Sequence, residues 1–302
     1  MSEFTCILNP CAGRGAAAKL FAPLQRLLNE QKVQHEFVMT TRQGEASDIA
    51  RQATGPYVVA VGGDGTVNEV ANGLIGSEKV LGVIPAGSGN DFVKMTGVTT
   101  KLHQALEKLL NRKTKRFDAG TVECSTTGAE GDVSASKRFF VNGVGIGFDA
   151  AVAARTQEMK HLRGTLLYIV AVLQTLGKYK SPNYTIRTDA GETTSKNLLI
   201  AIGNGTCAGG GFYLTPRAKI DDGLLDFCTI REIGIGRILQ LMPLAMRGKH
   251  LSAKEVIYLS SKQIDVSADS GFFVHADGEI VGRNVRSVKV NVVSSALSVV
   301  VA

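Results

Sequence analysis

The chain has 302 residues, with 34 Lys and Arg against 27 Asp and Glu for a net charge of +7, and is 44% hydrophobic and 20% charged. That is apolar enough for a sizeable core and excludes compositional disorder, while 34 glycines without a G-X-Y period exclude collagen and foretell turns with positive φ. The five scattered cysteines Cys6, Cys11, Cys124, Cys207 and Cys228 never form a CxxC, which excludes a disulfide framework and a zinc ribbon.

The N-terminus shows no basic, apolar leader, and the longest apolar helical stretch, Leu166 to Leu176, is shorter than the roughly 20 residues of a membrane span. A reduced cytoplasm is therefore the expected location. In chain order, strands are predicted at Phe4–Leu8, Glu36–Met39, Tyr57–Val61 and Val80–Ile84. Between them, Leu20, Leu24, Leu27 and Leu28, and then Ala46, Ile49, Ala50 and Ala53, fall at helical spacing. Alternation of this kind predicts βαβ units and a parallel sheet. Pro23 leaves the start of the first helix open.

After Asp118 the pattern changes. Short strands at Arg138–Asn142, Leu198–Ile202, Leu224–Ile230, Gln263–Val266 and Val288–Val293 are separated by Gly, Asn and Asp turns, predicting a mainly antiparallel region. Helical inserts interrupt it near Thr165–Leu176 and Gly236–Arg247. Residues 125–136 read as a surface loop or hairpin tip. Two domains are expected, residues 1–120 and 121–302, with a cleft between them.

The strongest motif is a buried strand, Val58 to Val61, running into Gly62-Gly63-Asp64-Gly65-Thr66-Val67-Asn68-Glu69. Glycines let backbone N–H groups approach phosphate oxygens, and the start of the following helix adds partial positive charge. Thr66 and Glu69 also have capping-box spacing, but a cap leaves Asp64 without a task. A carboxylate beside phosphate calls for a mediating cation such as Mg²⁺. A second turn, Pro85 to Phe92, follows the next strand, and further polar loops follow the first two at Asn9 to Gly15 and Thr40 to Gly44. Parallel strands deliver such loops to one edge, where open α/β sheets bind ligands. Walker A, the nucleophile elbow and a zincin site all fail on spacing. Gly203-Asn204-Gly205-Thr206-Cys207-Ala208 matches a dinucleotide fingerprint, but Gly209 to Gly211 and Pro216 forbid the helix it needs.

Asn9-Pro10 with Gly13, Gly62 to Glu69, Pro85 to Phe92, Asn142-Gly143 to Asp149, Gly203 to Gly211, Pro216 to Asp226 and Asp277-Gly278-Glu279 together resemble the diacylglycerol kinase catalytic family. Bacterial soluble lipid kinases and the sphingosine and ceramide kinases belong to it, and the likeness spans almost the whole chain. It implies a Rossmann-like three-layer nucleotide domain of the NAD kinase and diacylglycerol kinase type, joined to a mainly antiparallel β-sandwich, with ATP at their cleft. Gly62, Gly63, Asp64, Gly65, Thr66, Val67 and Asn68 would hold nucleotide phosphates, with Asn9 in the adjoining loop and Thr40 and Ser88 at neighbouring contact positions. In the loop Lys219 to Leu224, Mg²⁺ would take the Asp222 carboxylate and the carbonyls of Lys219 and Leu224, although Asp-Gly before a strand is also an ordinary turn.

Phosphoryl transfer to an alcohol needs positioning, charge neutralisation and a carboxylate near the hydroxyl proton. By the resemblance Glu279 is the general base, with Asp277 orienting it or contacting metal; by the residues alone Asp277-Gly278 is a hairpin turn. A lipid acceptor would lie along Tyr168, Ile169, Val172 and Leu176 and along Leu239, Met242 and Met246, positions that also suit core packing. Basic segments at Arg112-Lys113, Lys115-Arg116, Lys160 to Arg163 and Arg247 to His250 could attract anionic headgroups in transient peripheral membrane contact. The reading is a Mg²⁺-dependent ATP:lipid kinase that takes no nucleic acid. An NAD kinase-like enzyme and a catalytically silent nucleotide-binding module stay open.

Overall fold

Apolar runs of five or six residues that are buried on both faces make the parallel strands, and the stretches with 3.6-residue periodicity make the helices that cover them. A computed structural model describes residues 2–127, 133–159 and 164–302, without the side chains of 127, 133–136, 157 and 164–168. The chain divides into two units, Met1–Asp118 with Ser295–Ala302, and Ala119–Ser294.

The first unit runs β1 (Phe4–Leu8), α1 (Ala16–Glu30), β2 (His35–Met39), α2 (Glu45–Gln52), β3 (Tyr57–Gly62), α3 (Asp64–Leu74), β4 (Val80–Pro85), α4 (Asp91–Thr96) and α5 (Leu102–Asn111). Its strands are parallel in the order β2-β1-β3-β4. Every residue of β1 is buried, and at roughly 1.5–3 kcal/mol per fully buried large aliphatic side chain such strands dominate the stability of the unit. Pro23 lies inside α1.

The second unit contains β5 (Thr114–Thr127), which starts in the first, then β6 (Val133–Phe140), β7 (Gly143–Gly147), α6 (Phe148–Glu158), α7 (Gly164–Leu176), β8 (Asn183–Thr188) and β9 (Gly191–Gly203). It continues with β10 (Leu225–Arg231), α8 (Ile235–Ala245), β11 (Val256–Ser261), β12 (Gln263–Ala276) and β13 (Glu279–Val300). Antiparallel pairing gives the order β11-β10-β9-β7-β12-β13. β8 fills the same place as β7, pairing with the other halves of β9 and β12. One apolar cluster, including Phe140, Ile146, Tyr184, Phe227 and Phe272, lies among these strands. Another, including Phe148, Val172, Phe212, Ile238 and Leu241, lies beneath the helical inserts.

Two sequence expectations change. Residues 295–302 belong with the first unit, because the end of β13 pairs in parallel with β4 through Ser298↔Val80 and Val299↔Leu81. Of the surface loop or hairpin tip expected at 125–136, the hairpin is what forms, but with a shorter tip: β5 and β6 pair in register to Thr127↔Val133, and residues 128–132 between them lie outside the described residues.

Candidate functional site

Four parallel strands place four loops at the carboxyl edge of the first unit, and the structure ties those loops together. Asn9 Nδ2 donates to Thr66 Oγ1 at 3.2 Å, the Thr40 N–H to the Leu8 carbonyl at 2.9 Å and the Ala86 N–H to the Gly62 carbonyl at 2.7 Å. Gly63 and Gly87 are in direct contact, since a Cβ on Gly87 would stand 2.6 Å from the Cα of Gly63. Gly13, at φ +58°, is pressed against the carbonyl of Ala86. These glycines are required by the approach of one loop to another.

Within the 62–68 motif the residues do different things. Gly63 is the extended N-cap of α3, without a side-chain cap, so Thr66 and Glu69 form no capping box. Glu69 instead reaches to α2, accepting the N–H groups of Gly44 at 2.9 Å and Ala46 at 3.2 Å. Val67 and Asn68 are buried, and the Val67 N–H donates to Gly63 O at 3.0 Å. Their expected phosphate contacts therefore have little to work with, because one side chain and one donor are committed inside the fold. The first-turn N–H groups of Gly65 and Thr66 have no acceptor within the helix, which is the feature a phosphate uses. Asp64 Oδ1 accepts the Phe92 N–H at 3.2 Å, linking the start of α3 to the start of α4. Ser88 stands exposed in a loop pinned by Asn90, whose Oδ1 accepts the Gly87 N–H at 3.0 Å and whose Nδ2 donates to Gly87 O at 2.9 Å.

In the second unit, Asp277 and Gly278 sit at φ +49° and +84° between paired Ala276 and Glu279, a two-residue turn of the kind Asp-Gly favours. The Asp277 carboxylate accepts three consecutive main-chain N–H groups, from Val141 at 2.9 Å, Asn142 at 3.0 Å and Gly143 at 2.8 Å. It clamps the β6–β7 connection to the turn. Glu279 is half-buried and its Oε2 lies 2.7 Å from Arg138 Nη2, a partner that no local motif marks.

Sequence reasoning also passed over His275. Its Nε2 lies 2.9 Å from Asp149 Oδ2, both residues are 6% exposed, and its Nδ1 accepts the Gly278 N–H at 3.3 Å. The available signal was position, two residues before Asp277 in β12. Beside this pair opens a narrow apolar cleft, with about 60 Å³ of water-accessible space, walled by residues such as Phe148, Val172, Phe212, Ile238 and Met242. Asp149 is the one ionisable residue on that wall among the described residues. Of the expected lipid contacts, Val172 and Met242 line the cleft, Leu176 packs against the cluster below it, and Leu239 and Met246 are exposed. Ile169 is half-buried, and the side chain of Tyr168 lies outside the described residues.

The loop Lys219 to Leu224 turns on itself, Asp222 Oδ1 accepting the Leu224 N–H at 3.1 Å. No three His, Cys, Asp or Glu among the described residues come together as a metal cluster. Oxygen donors from one carboxylate and loop carbonyls still suit a hard cation that keeps most of its water. Nearby, burial raises the pKa of Asp226 against opposing hydrogen bonds from Tyr258 and Ser260. The basic segments are less available than expected. Arg112 pairs with Glu3 at 2.6 Å and Arg116 with Glu78 at 3.0 Å, and Lys113 donates to Ala302 O at 2.9 Å. His250 is fully buried, Arg247 and Lys249 are exposed, and residues 160–163 lie outside the described residues. Among the described residues no helix is long and apolar enough to cross a membrane.

Two family patterns match the chain, a diacylglycerol kinase catalytic domain over residues 3–122 and a YegS C-terminal NAD kinase beta sandwich-like domain over residues 142–301. The chain belongs to the diacylglycerol kinase family. Within that family it is 30% identical over 287 residues to a diacylglycerol kinase of Mycobacterium tuberculosis strain H37Rv, covering 92% of this chain and 89% of the relative. It is 32% identical over 249 residues to a Chromohalobacter salexigens protein named "Probable lipid kinase YegS-like", covering 80% and 76%. A crystal structure of a diacylglycerol kinase from Bacillus anthracis superposes with a TM-score of 0.72 at 20% identity, covering 100% of this chain and 97% of that one. Yeast NADH kinase complexed with NADH gives 0.51 at 11% identity, covering 100% and 84%. These likenesses place the fold of this diacylglycerol kinase family member with the two-domain kinases, an α/β nucleotide-domain type followed by a β domain.

Proposed function

We propose that this family member is a Mg²⁺-dependent ATP:lipid kinase that phosphorylates a hydroxyl of diacylglycerol or a related lipid. The nucleotide phosphates lie on the joined loops of the first unit, taking the first-turn donors of Gly65 and Thr66, with Asn9, Thr40, Gly62, Gly63, Asp64 and Ser88 around them. The acceptor's chains lie in the apolar cleft of the second unit. That cleft is the observation that carries the reading, because its wall is apolar, as acyl chains favour, and among the described residues it offers a nucleotide acceptor no ionisable side chain except Asp149.

The acceptor oxygen attacks the γ-phosphorus, the bond from phosphorus to the β–γ bridging oxygen breaks, ADP leaves, and the hydroxyl proton passes to Glu279. Arg138 contacts Glu279 through Oε2 and so orients the carboxylate. Asp277 holds the turn from which Glu279 projects. Bound Mg²⁺ supplies charge neutralisation on the phosphates, while Asp222 with the carbonyls of Lys219 and Leu224 would hold a cation in the second unit. Contact with the membrane is peripheral and transient, through exposed Leu239, Met246, Arg247 and Lys249 beside the cleft.

Incubation of the full chain with γ-labelled ATP and either a lipid extract or NAD tests this. Label in a lipid, with mass identification of the product, supports the reading. Label in NAD replaces it with a soluble-acceptor kinase, and label in neither leaves a nucleotide-binding module.

A further inference from the structure

His275 is buried, polar and outside every motif that led to the kinase reading, yet it touches both parts of the second unit that the reading uses. Its ring is bound at each nitrogen. The Gly278 N–H can only donate, so Nδ1 is the acceptor at 3.3 Å; the proton then sits on Nε2, which donates to Asp149 Oδ2 at 2.9 Å. Gly278 belongs to the turn that carries Glu279, and Asp149 opens α6 and lines the apolar cleft. The backbone is cut to fit this pair. A Cβ on Gly145, which faces His275 across the β7–β12 pairing, would collide with both His275 Nε2 and Asp149 Oδ2.

We propose that His275 is a positioning residue for phosphoryl transfer: one imidazole fixes the acid on the cleft wall relative to the turn that presents Glu279. Apolar packing alone sets the depth of an acyl chain poorly, because sliding by a methylene changes contacts little. A rigid link between cleft wall and proton acceptor sets where the hydroxyl stops. The inference rests on the lipid-kinase reading and deepens it.

Two conservative variants separate the two bonds. In His275→Gln the side-chain amide can replace Nε2–H toward Asp149 but not Nδ1; in His275→Asn the amide oxygen can replace Nδ1 toward Gly278 but leaves Asp149 without its donor. With labelled ATP and diacylglycerol-containing vesicles, His275→Asn should lower kcat by about 10²-fold, the scale of a misplacement near 1 Å. His275→Gln, which cuts the other end of the same link at Gly278, should lower kcat on the same scale, and KM for ATP should stay unchanged in both. A kcat within twofold of wild type in either variant, or a rise in the KM for ATP that matches the loss, overturns the proposal. Imidazole ¹⁵N shifts of the wild-type chain test the pair without activity: a protonated Nε2 with an unprotonated, hydrogen-bonded Nδ1 supports it, and the other tautomer overturns it. Failure of wild type to label any lipid removes the parent reading instead, and is told apart because the ¹⁵N result stands independently.

Discussion

Asp277→Ala distinguishes a clamp from a catalyst. The wild-type carboxylate accepts three main-chain N–H groups at 2.8–3.0 Å, and hydrogen bonds to a charged group are worth about 1.5–3 kcal/mol each. Three such bonds on one side chain do not add in full, and water reaches this half-buried site, so a loss of about 3 kcal/mol is the reasoned figure. A residue at φ +49° adds to that, since Ala tolerates the left-handed region less well than Asp. For a unit of the size of residues 119–294, about 2–4 °C per kcal/mol applies, which gives a drop in Tm of roughly 6–12 °C. Asp277→Asn keeps one acceptor oxygen and should fall between wild type and Ala. Scanning calorimetry reads the stability, and single-turnover transfer measured well below the lowered Tm reads the chemistry. A Tm within about 2 °C of wild type together with a hundredfold loss of transfer would refute the clamp and return Asp277 to the reaction itself.

The other predictions divide the site in the same way. Glu279→Gln should lower kcat by about 10²–10⁴-fold with nucleotide affinity unchanged, measured by titration with a non-hydrolysable ATP analogue; retained turnover would remove Glu279 from proton transfer. Glu69→Ala should cost about 1–2 kcal/mol by uncapping the start of α2, read by urea melts of the full chain. Burial holds the pKa of His250 below its usual 6.5, so its contribution to stability is complete above that value. It is lost as the pH falls from 6.5 toward the lower folded-state pKa, at no more than about 1.4 kcal/mol per pH unit. Wild type should therefore lose Tm faster than His250→Gln across that window, and parallel curves would show that His250 is not the group responsible.

The parallel half of the fold was legible to within a residue at most strand ends. β1, β3 and β4 are continuous apolar runs, and burial on both faces is what such runs record. The antiparallel half was legible in position but not in extent. The pattern marks β12 in two pieces, Gln263–Val266 and Phe272-Phe273-Val274 before the Asp277-Gly278 turn, whereas the strand runs unbroken to Ala276, through register shifts after Ser267 and Phe272 where alternation breaks. β13 alternates buried Val285, Val288 and Val290 with exposed Arg286 and Lys289, a weak signal once Ser and Asn intervene. α4, α5, α6, β5, β7, β8 and β11 have no counterpart among the predicted elements. In the site, the glycine-rich loops could be found because backbone approach demands glycine, and the motif acids because they are acids. The Arg138–Glu279 and His275–Asp149 pairs were invisible, since their members are separated by 141 and 126 positions and nothing local distinguishes them.

What the acids do in the fold narrows which of them can do chemistry. Asp64 accepts the Phe92 N–H, Asp222 the Leu224 N–H, and Asp277 three N–H groups in succession. A carboxylate spent on main-chain donors gives up those bonds when it takes a proton, so a turn held in this way would loosen with every catalytic cycle. Glu279 is held differently, by an arginine side chain that can keep its contact with one oxygen while the other exchanges a proton with an acceptor. The motif would therefore combine two roles at adjacent positions: Asp277 makes the turn rigid, and Glu279, raised on that turn, carries the reactive carboxylate. Exchanging the pair, as Asp277→Glu with Glu279→Asp, should abolish transfer although both charges remain. The longer side chain would overshoot the three N–H groups and the shorter one would fall short of the hydroxyl. Transfer preserved in that double variant would show that charge alone, and not this division of labour, is what the reaction needs.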